Sequence, residues 1–124
     1  MPLYERIKEN KDFIKLYRRG KSCVDPLLVT YIFFNKSNKI RVGITATKKI
    51  GGAVQRNRAK RVIRAAFREQ DTENLKGCDI VFVARTKTTV CKSHEISRVM
   101  NKHFEKLLSA KKQSWKIKFN KNKI

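Results

Sequence analysis

The stretch from Arg41 to Glu69, RVGITATKKIGGAVQRNRAKRVIRAAFRE, constrains the fold more than any other part of this chain. It opens with the period of a strand. Ile40, Val42, Ile44 and Ala46 alternate with Arg41, Gly43, Thr45 and Thr47, so one side packs on a core and the other stays open. From Ala53 to Glu69 the period becomes helical, with Ala59, Val62, Ile63, Ala66 and Phe67 as the buried stripe. At about 100° per residue, Asn57, Lys60, Arg61, Arg64 and Arg68 crowd into roughly 100° on the opposite side, with Arg56 and Arg58 at its margins. A near-continuously apolar run, Cys78 to Arg85 (CDIVFVAR), follows and reads as an interior strand. Strand, helix, strand in that order predicts two parallel strands joined by the basic helix.

The charge on that helix needs a partner. Solvated helices mix Glu with Lys at i, i+4, because like charges at that spacing cost a few tenths of a kcal/mol per pair. Here no acid appears until Glu69. The whole chain repeats the pattern: 31 Lys and Arg face 10 Asp and Glu in 124 residues, a formal charge of +21. Solubility does not require a threefold imbalance, whereas a polyanion would offset it. Nucleic acid fits better than a membrane surface, and no apolar run approaches the roughly 20 residues of a span. Before the helix, Lys48-Lys49 and Gly51-Gly52 let backbone phosphates approach the positive helix end. The GxxxxGK[ST] pattern of a nucleotide-hydrolysing loop is absent.

The rest of the chain supplies one modest core, and a single domain is expected over residues 1–124. Asn10 to Arg19 reads as a helix capped by Asn10, with Phe13, Leu16 and Tyr17 at helical spacing and Gly20 at its end. Leu27 to Phe34 (LLVTYIFF), introduced by Pro26, is a strand apolar on both faces. The turn cluster Asn35 to Asn38 predicts that it pairs with the strand starting at Ile40 as an antiparallel hairpin. Tyr31 and Phe33 would then share the open face with Arg41, Gly43 and Thr45, an aromatic floor beside a basic side chain. Asp71 to Gly77 reads as a polar connection. The closing helix is predicted from about Ser93 to Ser109, with Ile96, Val99, Met100, His103, Phe104, Leu107 and Leu108 on one stripe. His103 reads as a core-edge histidine rather than a ligand. From Ala110 the chain is a basic tail carrying Trp115 and Phe119.

Catalytic constellations are missing. There is no paired-carboxylate site and no GxSxG, HExxH or Cys-His arrangement. Cys23, Cys78 and Cys91 are odd in number and form no CxxC, so buried reduced thiols are expected. With a polar start and no apolar signal segment, a cytoplasmic location is expected. The residues thus describe an RNA- or DNA-binding module. Aromatic side chains beside basic ones favour single strands, whose bases can stack.

The central stretch resembles the signature of the protein subunit of bacterial ribonuclease P. That family carries a strand of the form RxGxxxxKKxGxAVxRNRxKRxxR leading into a basic helix. Arg41, Gly43, Lys48, Lys49, Gly51, Ala53, Val54, Arg56, Asn57, Arg58, Lys60, Arg61 and Arg64 all match. The flanks from Arg6 to Gly20 and at Ala84-Arg85 are similar too, so the resemblance covers about residues 6 to 108 and leaves the tail unmatched. Tyr17 stands where the family often has Phe, and Thr86-Lys87 where Pro is common.

The resemblance implies an α+β fold, a single-domain α/β sandwich with a four-stranded sheet and three helices. It would resemble a domain of ribosomal protein S5, with a left-handed crossover through the Arg-Asn-Arg helix, against the usual hand. It implies a catalytic RNA partner, the ribonuclease P RNA, with one protein per RNA, and removal of the 5′ leader of precursor tRNA. Mg2+ and the hydrolysis would belong to the RNA. Carried over by residue, Phe13, Tyr17 and Tyr31, with Phe33, would line a leader cleft walled by Lys60 and Arg64, the leader continuing along the helix face to Arg68. Lys48, Lys49, Arg56, Asn57, Arg58 and Arg61 would face the catalytic RNA. A ribosomal or ribosome-assembly RNA binder of related fold is the alternative; it explains the charge but has little use for an open aromatic cleft.

Overall fold

In the computed structural model the backbone is described for residues 4–121 and the side chains for residues 4–109. The chain forms β1 (Glu5–Arg6), α1 (Asn10–Arg19), β2 (Lys21–Asp25), β3 (Leu28–Phe34), β4 (Arg41–Thr45), α2 (Ala53–Arg68), β5 (Cys78–Ala84) and α3 (Ser93–Lys121). Short 3-10 turns lie at Lys48–Ile50, Glu73–Leu75 and Thr86–Val90. The basic tail's Trp115 and Phe119 lie outside the described side chains. Among the described residues no helix is long and apolar enough to cross a membrane.

One mixed sheet runs in the order β1-β4-β5-β3-β2. The expected parallel pair is present: β4 lies beside β5 and α2 connects them. The expected hairpin is not. β3 and β4 are not neighbours, because β5 lies between them, antiparallel to β3 and parallel to β4. The reason lies in β5. Its first five residues are fully covered, so both of its edges and both of its faces need partners. The sheet has five strands, not the four implied by the resemblance, since Glu5–Arg6 pairs in parallel with Arg41 and Val42 on the outer edge of β4. A strand at Lys21–Asp25 had no clear signal in KSCVD, which has only Cys23 buried.

Strand alternation separates two cores. On one face α2 and α3 pack Ala59, Ile63, Ala66, Phe67, Ile96, Met100 and Phe104 against Leu28, Ile32, Val42, Ile80 and Phe82. Phe67, Phe82 and Phe104 meet with centroids 5.7, 6.5 and 6.0 Å apart, and Tyr4 reaches Phe67 edge-on at 5.2 Å. The stripe read from the sequence is this face. On the other face α1 alone covers a small cluster of Ile7, Leu16 and Val81, flanked by Phe13, Tyr31, Phe33 and Val83.

Local chemistry fixes the joints. Glu9, not Asn10, is the N-cap of α1, and the Gly20 N–H bonds to Leu16 O at 2.9 Å. Asp25 accepts from Leu27 N at 2.9 Å, turning the chain at Pro26, and Asn35 accepts from Ser37 N at 2.8 Å in the next turn. The connection after α2 is less polar than expected, because Leu75 is 1% exposed beneath it. His103 is buried and shares a 2.7 Å hydrogen bond between its Nδ1 and Thr30 Oγ1. Cys23, Cys78 and Cys91 are all buried, and burial raises the Cys91 thiol above its ordinary pKa.

Candidate nucleic-acid interface

The strand register arranges the α1 face of the sheet in rows. Arg41, Asp79 and Phe33 form the first, Gly43, Val81 and Tyr31 the second, Thr45, Val83 and Val29 the third. Helix α1 lies across the first two. Asp12 in its first turn bonds Arg41, and the Lys15 ammonium sits 4.6 Å from the centroid of the Phe33 ring. Phe13 presses on Gly43 so closely that a Cβ there would lie 2.6 Å from its Cε1. Tyr17 ends the helix edge-on to Tyr31, 5.0 Å between centroids, and its hydroxyl reaches Thr45 Oγ1 at 3.4 Å. The third row is left half open: Thr45 and Val83 are half-buried, and beside Val29 the edge strand exposes Val24.

The aromatic floor expected beside a basic side chain therefore exists in part. Tyr17 is 41% exposed and Tyr31 half-buried, an open pair of rings. Phe13 and Phe33 are half-buried, but one lies on Gly43 and the other carries Lys15 on its face. Arg41 is not a free cation of the floor. Its Nη2 donates to Asp12 at 2.9 Å and its Nη1 to Asp79 at 3.0 Å. Burial works against its charge, but the hydrogen bond to Asp12 and the charges of Asp79 and Asp12 outweigh it and raise the guanidinium above its ordinary range.

Helix α2 lies on the opposite face, because its apolar stripe packs there. Lys60 and Arg64 thus do not wall the α1 cleft itself, a correction to the expected geometry. They line a small adjoining groove with Arg6, Ile7, Gly43 and Ile44, at the outer edge of β4. Its volume is about 100 Å³. Gly43 and Ile7 border both hollows, so the aromatic face and the cations meet around the end of β4 that β1 leaves unpaired. Arg56, Lys60 and Arg64 are half-buried at successive i, i+4 positions on this flank. Asn57, Arg58, Arg61 and Arg68 are exposed.

At the start of α2, Gly51 holds φ at 142°, a backbone region that suits glycine, and Gly52 is the N-cap. No side chain caps the helix and its first turn holds no acid, so its N–H groups stay available to an anion. Exposed Lys48 and Lys49 stand in the preceding 3-10 turn. Val54 is 75% exposed, and Val90 in the turn after β5 is 80% exposed. That turn, Thr86–Val90, also carries exposed Lys87 after Arg85 and packs against α2 and the Lys48–Ile50 turn. The sequence marked Arg85 only as part of a motif; its use beside α2 depends on two parallel strands ending together. Among the described residues, ion pairs engage Lys11, Lys39, Arg41 and Lys76, and none of the six cations of α2. No group of three His, Cys, Asp or Glu among them is gathered to hold a metal ion.

The arrangement offers stacking rings, an open apolar strip and unpaired cations within one continuous border. Extended single-stranded RNA presents the matching bases and phosphates. The profile of the family described as Ribonuclease P matches residues 1–108. The ribonuclease P protein component of Clostridioides difficile (strain 630) is 47% identical over 83 residues, 66% of this chain and 73% of that protein. Its counterpart from Clostridium beijerinckii is 40% identical over 108 residues, 82% of this chain and 86% of the relative. The solved structure of the Staphylococcus aureus RNase P protein is similar with a TM-score of 0.67 at 33% identity, covering 86% of this chain and 94% of that one.

Proposed function

The chain belongs to the ribonuclease P protein family, and on that premise we propose that it binds the 5′ leader of precursor tRNA while a catalytic RNA cuts the leader away. As the protein component of a tRNA-processing ribonuclease, it is an RNA-binding subunit. A ribosomal role is not favoured. The observation that carries the leader reading is the juxtaposition around Gly43: open Tyr17 and Tyr31 on one side of the β4 edge, unpaired Lys60 and Arg64 on the other.

In this reading the leader runs as an extended strand. Its bases lie against Tyr17, Tyr31 and the Thr45–Val83–Val29 row, where each stacked base contributes about 1–3 kcal/mol. Its phosphates follow Lys60 and Arg64, and Arg56, which the resemblance assigned to the catalytic RNA, lies half-buried on the same flank. Phe33 is reached only when Lys15 moves aside, and Arg68 lies at the far end of α2, a peripheral contact. Lys48, Lys49, Arg58 and Arg61, with Asn57 and the uncapped helix start, face the catalytic RNA. One protein serves one RNA, in the cytoplasm.

Hydrolysis itself would be left to Mg2+ held by the RNA, which would supply an activated water and charge stabilisation. Asp12 and Asp79, the acids beside the cleft, are engaged by Arg41. The protein's own contribution is to hold two phosphate backbones together that would otherwise repel. Leader release is measured by mixing the chain with ribonuclease P RNA and precursor tRNA at low Mg2+. Cleavage is expected only when RNA and protein are both present; cleavage by the protein alone would overturn the assignment. Arg64→Ala is expected to weaken the complex with leader-bearing precursor roughly threefold to tenfold, as loss of about one phosphate contact does. Mature tRNA should bind as before, and equal losses for both would remove the leader from this groove.

A further inference from the structure

The α1 cleft has one wall that could move. Helix α1 is short and stands alone on its face, where its Leu16 packs with Ile7 and Val81 in a small buried cluster flanked by Phe13, Tyr31, Phe33 and Val83. Such a thin apolar layer fixes position poorly, since few interlocking side chains resist sliding. A polar clasp does the rest. Arg41 of β4 donates from Nη2 to Asp12 of α1 at 2.9 Å and from Nη1 to Asp79 of β5 at 3.0 Å. Asp79 is held in turn by Asn35 Nδ2 at 2.8 Å. The side chains of Arg41, Asp12 and Asp79 are 29%, 21% and 6% exposed, so the network is largely screened from solvent.

We propose that Arg41 is a positioning residue for leader binding: by joining Asp12 to Asp79 it sets the height and register of α1 over the sheet, and with them the gap between Tyr17 and Tyr31. The planar guanidinium suits this task, because its fork makes two directed bonds at a fixed angle and lysine's single ammonium does not. The residue after Asp12 is Phe13, which rests on Gly43, and one helical turn further Tyr17 meets Tyr31. A shift at Asp12 is therefore delivered to the ring pair by a rigid helical turn. A clasp is also needed in a chain of charge +21, where α1 carries Lys11, Lys15, Arg18 and Arg19 over a basic molecule and is repelled by it. Binding geometry of this kind tolerates only about 0.5 Å of slack.

This inference rests on the leader reading, and the test separates the two. Holoenzymes would be reconstituted with the catalytic RNA, and the affinity ratio of leader-bearing precursor to mature tRNA measured for the wild type, Asp12→Asn, Asp12→Glu and Tyr17→Ala. Asp12→Asn keeps the shape of the side chain and leaves the Arg41–Asp79 bond in place. The expected result is a ratio lowered about tenfold in Asp12→Asn, recovery in Asp12→Glu, and unchanged affinity for the catalytic RNA. A wild-type ratio in Asp12→Asn, with the ratio lost in Tyr17→Ala, would overturn the clasp and leave the leader site standing. A fall for both substrates together with a lowered thermal midpoint would make the network a structural support and nothing more. No discrimination by the wild type would remove the leader reading, and this proposal with it.

Discussion

Gly43 shows how much one residue decides here. It lies on the open face of β4, where a side chain would ordinarily be free to vary. Its ideal Cβ would stand 2.6 and 2.8 Å from the Phe13 ring and 3.2 Å from Ile7 Cβ. Phe13 can lie this low only because nothing projects from Gly43. Gly43→Ala must lift Phe13 and tilt α1, and overpacking of this kind costs about 1–3 kcal/mol. We expect a thermal midpoint several degrees lower, with loss of leader discrimination larger than loss of catalytic-RNA binding. Equal effects on both RNAs, read by titration of each, would count against a local cleft defect. The alternation of Arg41, Gly43 and Thr45 marked this face as open from sequence alone. That Arg41 would be engaged by two carboxylates was not legible, because Asp12 and Asp79 lie 29 and 38 residues away from it along the chain.

At the scale of elements, period was readable and adjacency was not. The α2 stripe, the parallel β4–β5 pair and the interior character of β5 follow from spacing and composition, which are local. The hairpin expectation failed for a nonlocal reason. A strand buried on all sides must take two neighbours, and β5 took β3 and β4, the two strands that a short turn would have paired. Strand alternation gives α1 and α2 separate faces, which explains why Lys60 and Arg64 reach the aromatics only around a sheet edge. Helix α3 carries its own test. Burial holds the His103 imidazole below its ordinary pKa of 6.5, against the opposing pull of Asp25, with Lys106 adding to the depression. The unfolded chain takes up the proton at its ordinary pKa, the folded chain only at lower pH. Stability from the neutral imidazole is thus fully present above pH 6.5 and is lost as pH falls toward the folded value. Thermal midpoints measured from pH 7.5 to 5 should fall more steeply for the wild type than for His103→Gln, which keeps a hydrogen-bonding group opposite Thr30 and cannot charge. Parallel curves would show that another group governs the acid limb.

The whole molecule is a charge distribution before it is a shape. The apolar residues build a core that any α+β domain of this size needs, and the sequence sets 31 Lys and Arg against 10 Asp and Glu. Among the described residues ion pairs engage only Lys11, Lys39, Arg41 and Lys76, and unpaired Lys60 and Arg64 of α2 stand at the β4 border of the aromatic face. On the proposed reading, two RNA backbones brought to that border would repel each other, and Mg2+ and the protein would each relieve the repulsion. The two must therefore substitute for one another. The Mg2+ concentration for half-maximal cleavage should fall when the protein is added to the RNA and rise again with Lys60→Gln and Arg64→Gln combined. Raising monovalent salt should erode the leader contribution with a log–log slope near −0.7 per phosphate neutralised, and the double variant should flatten that slope by roughly one to one and a half. A variant that lowered leader affinity without flattening the slope would have lost packing, not phosphate contacts. Lys60 and Arg64 would then support the edge of β4 instead of the RNA that crosses it.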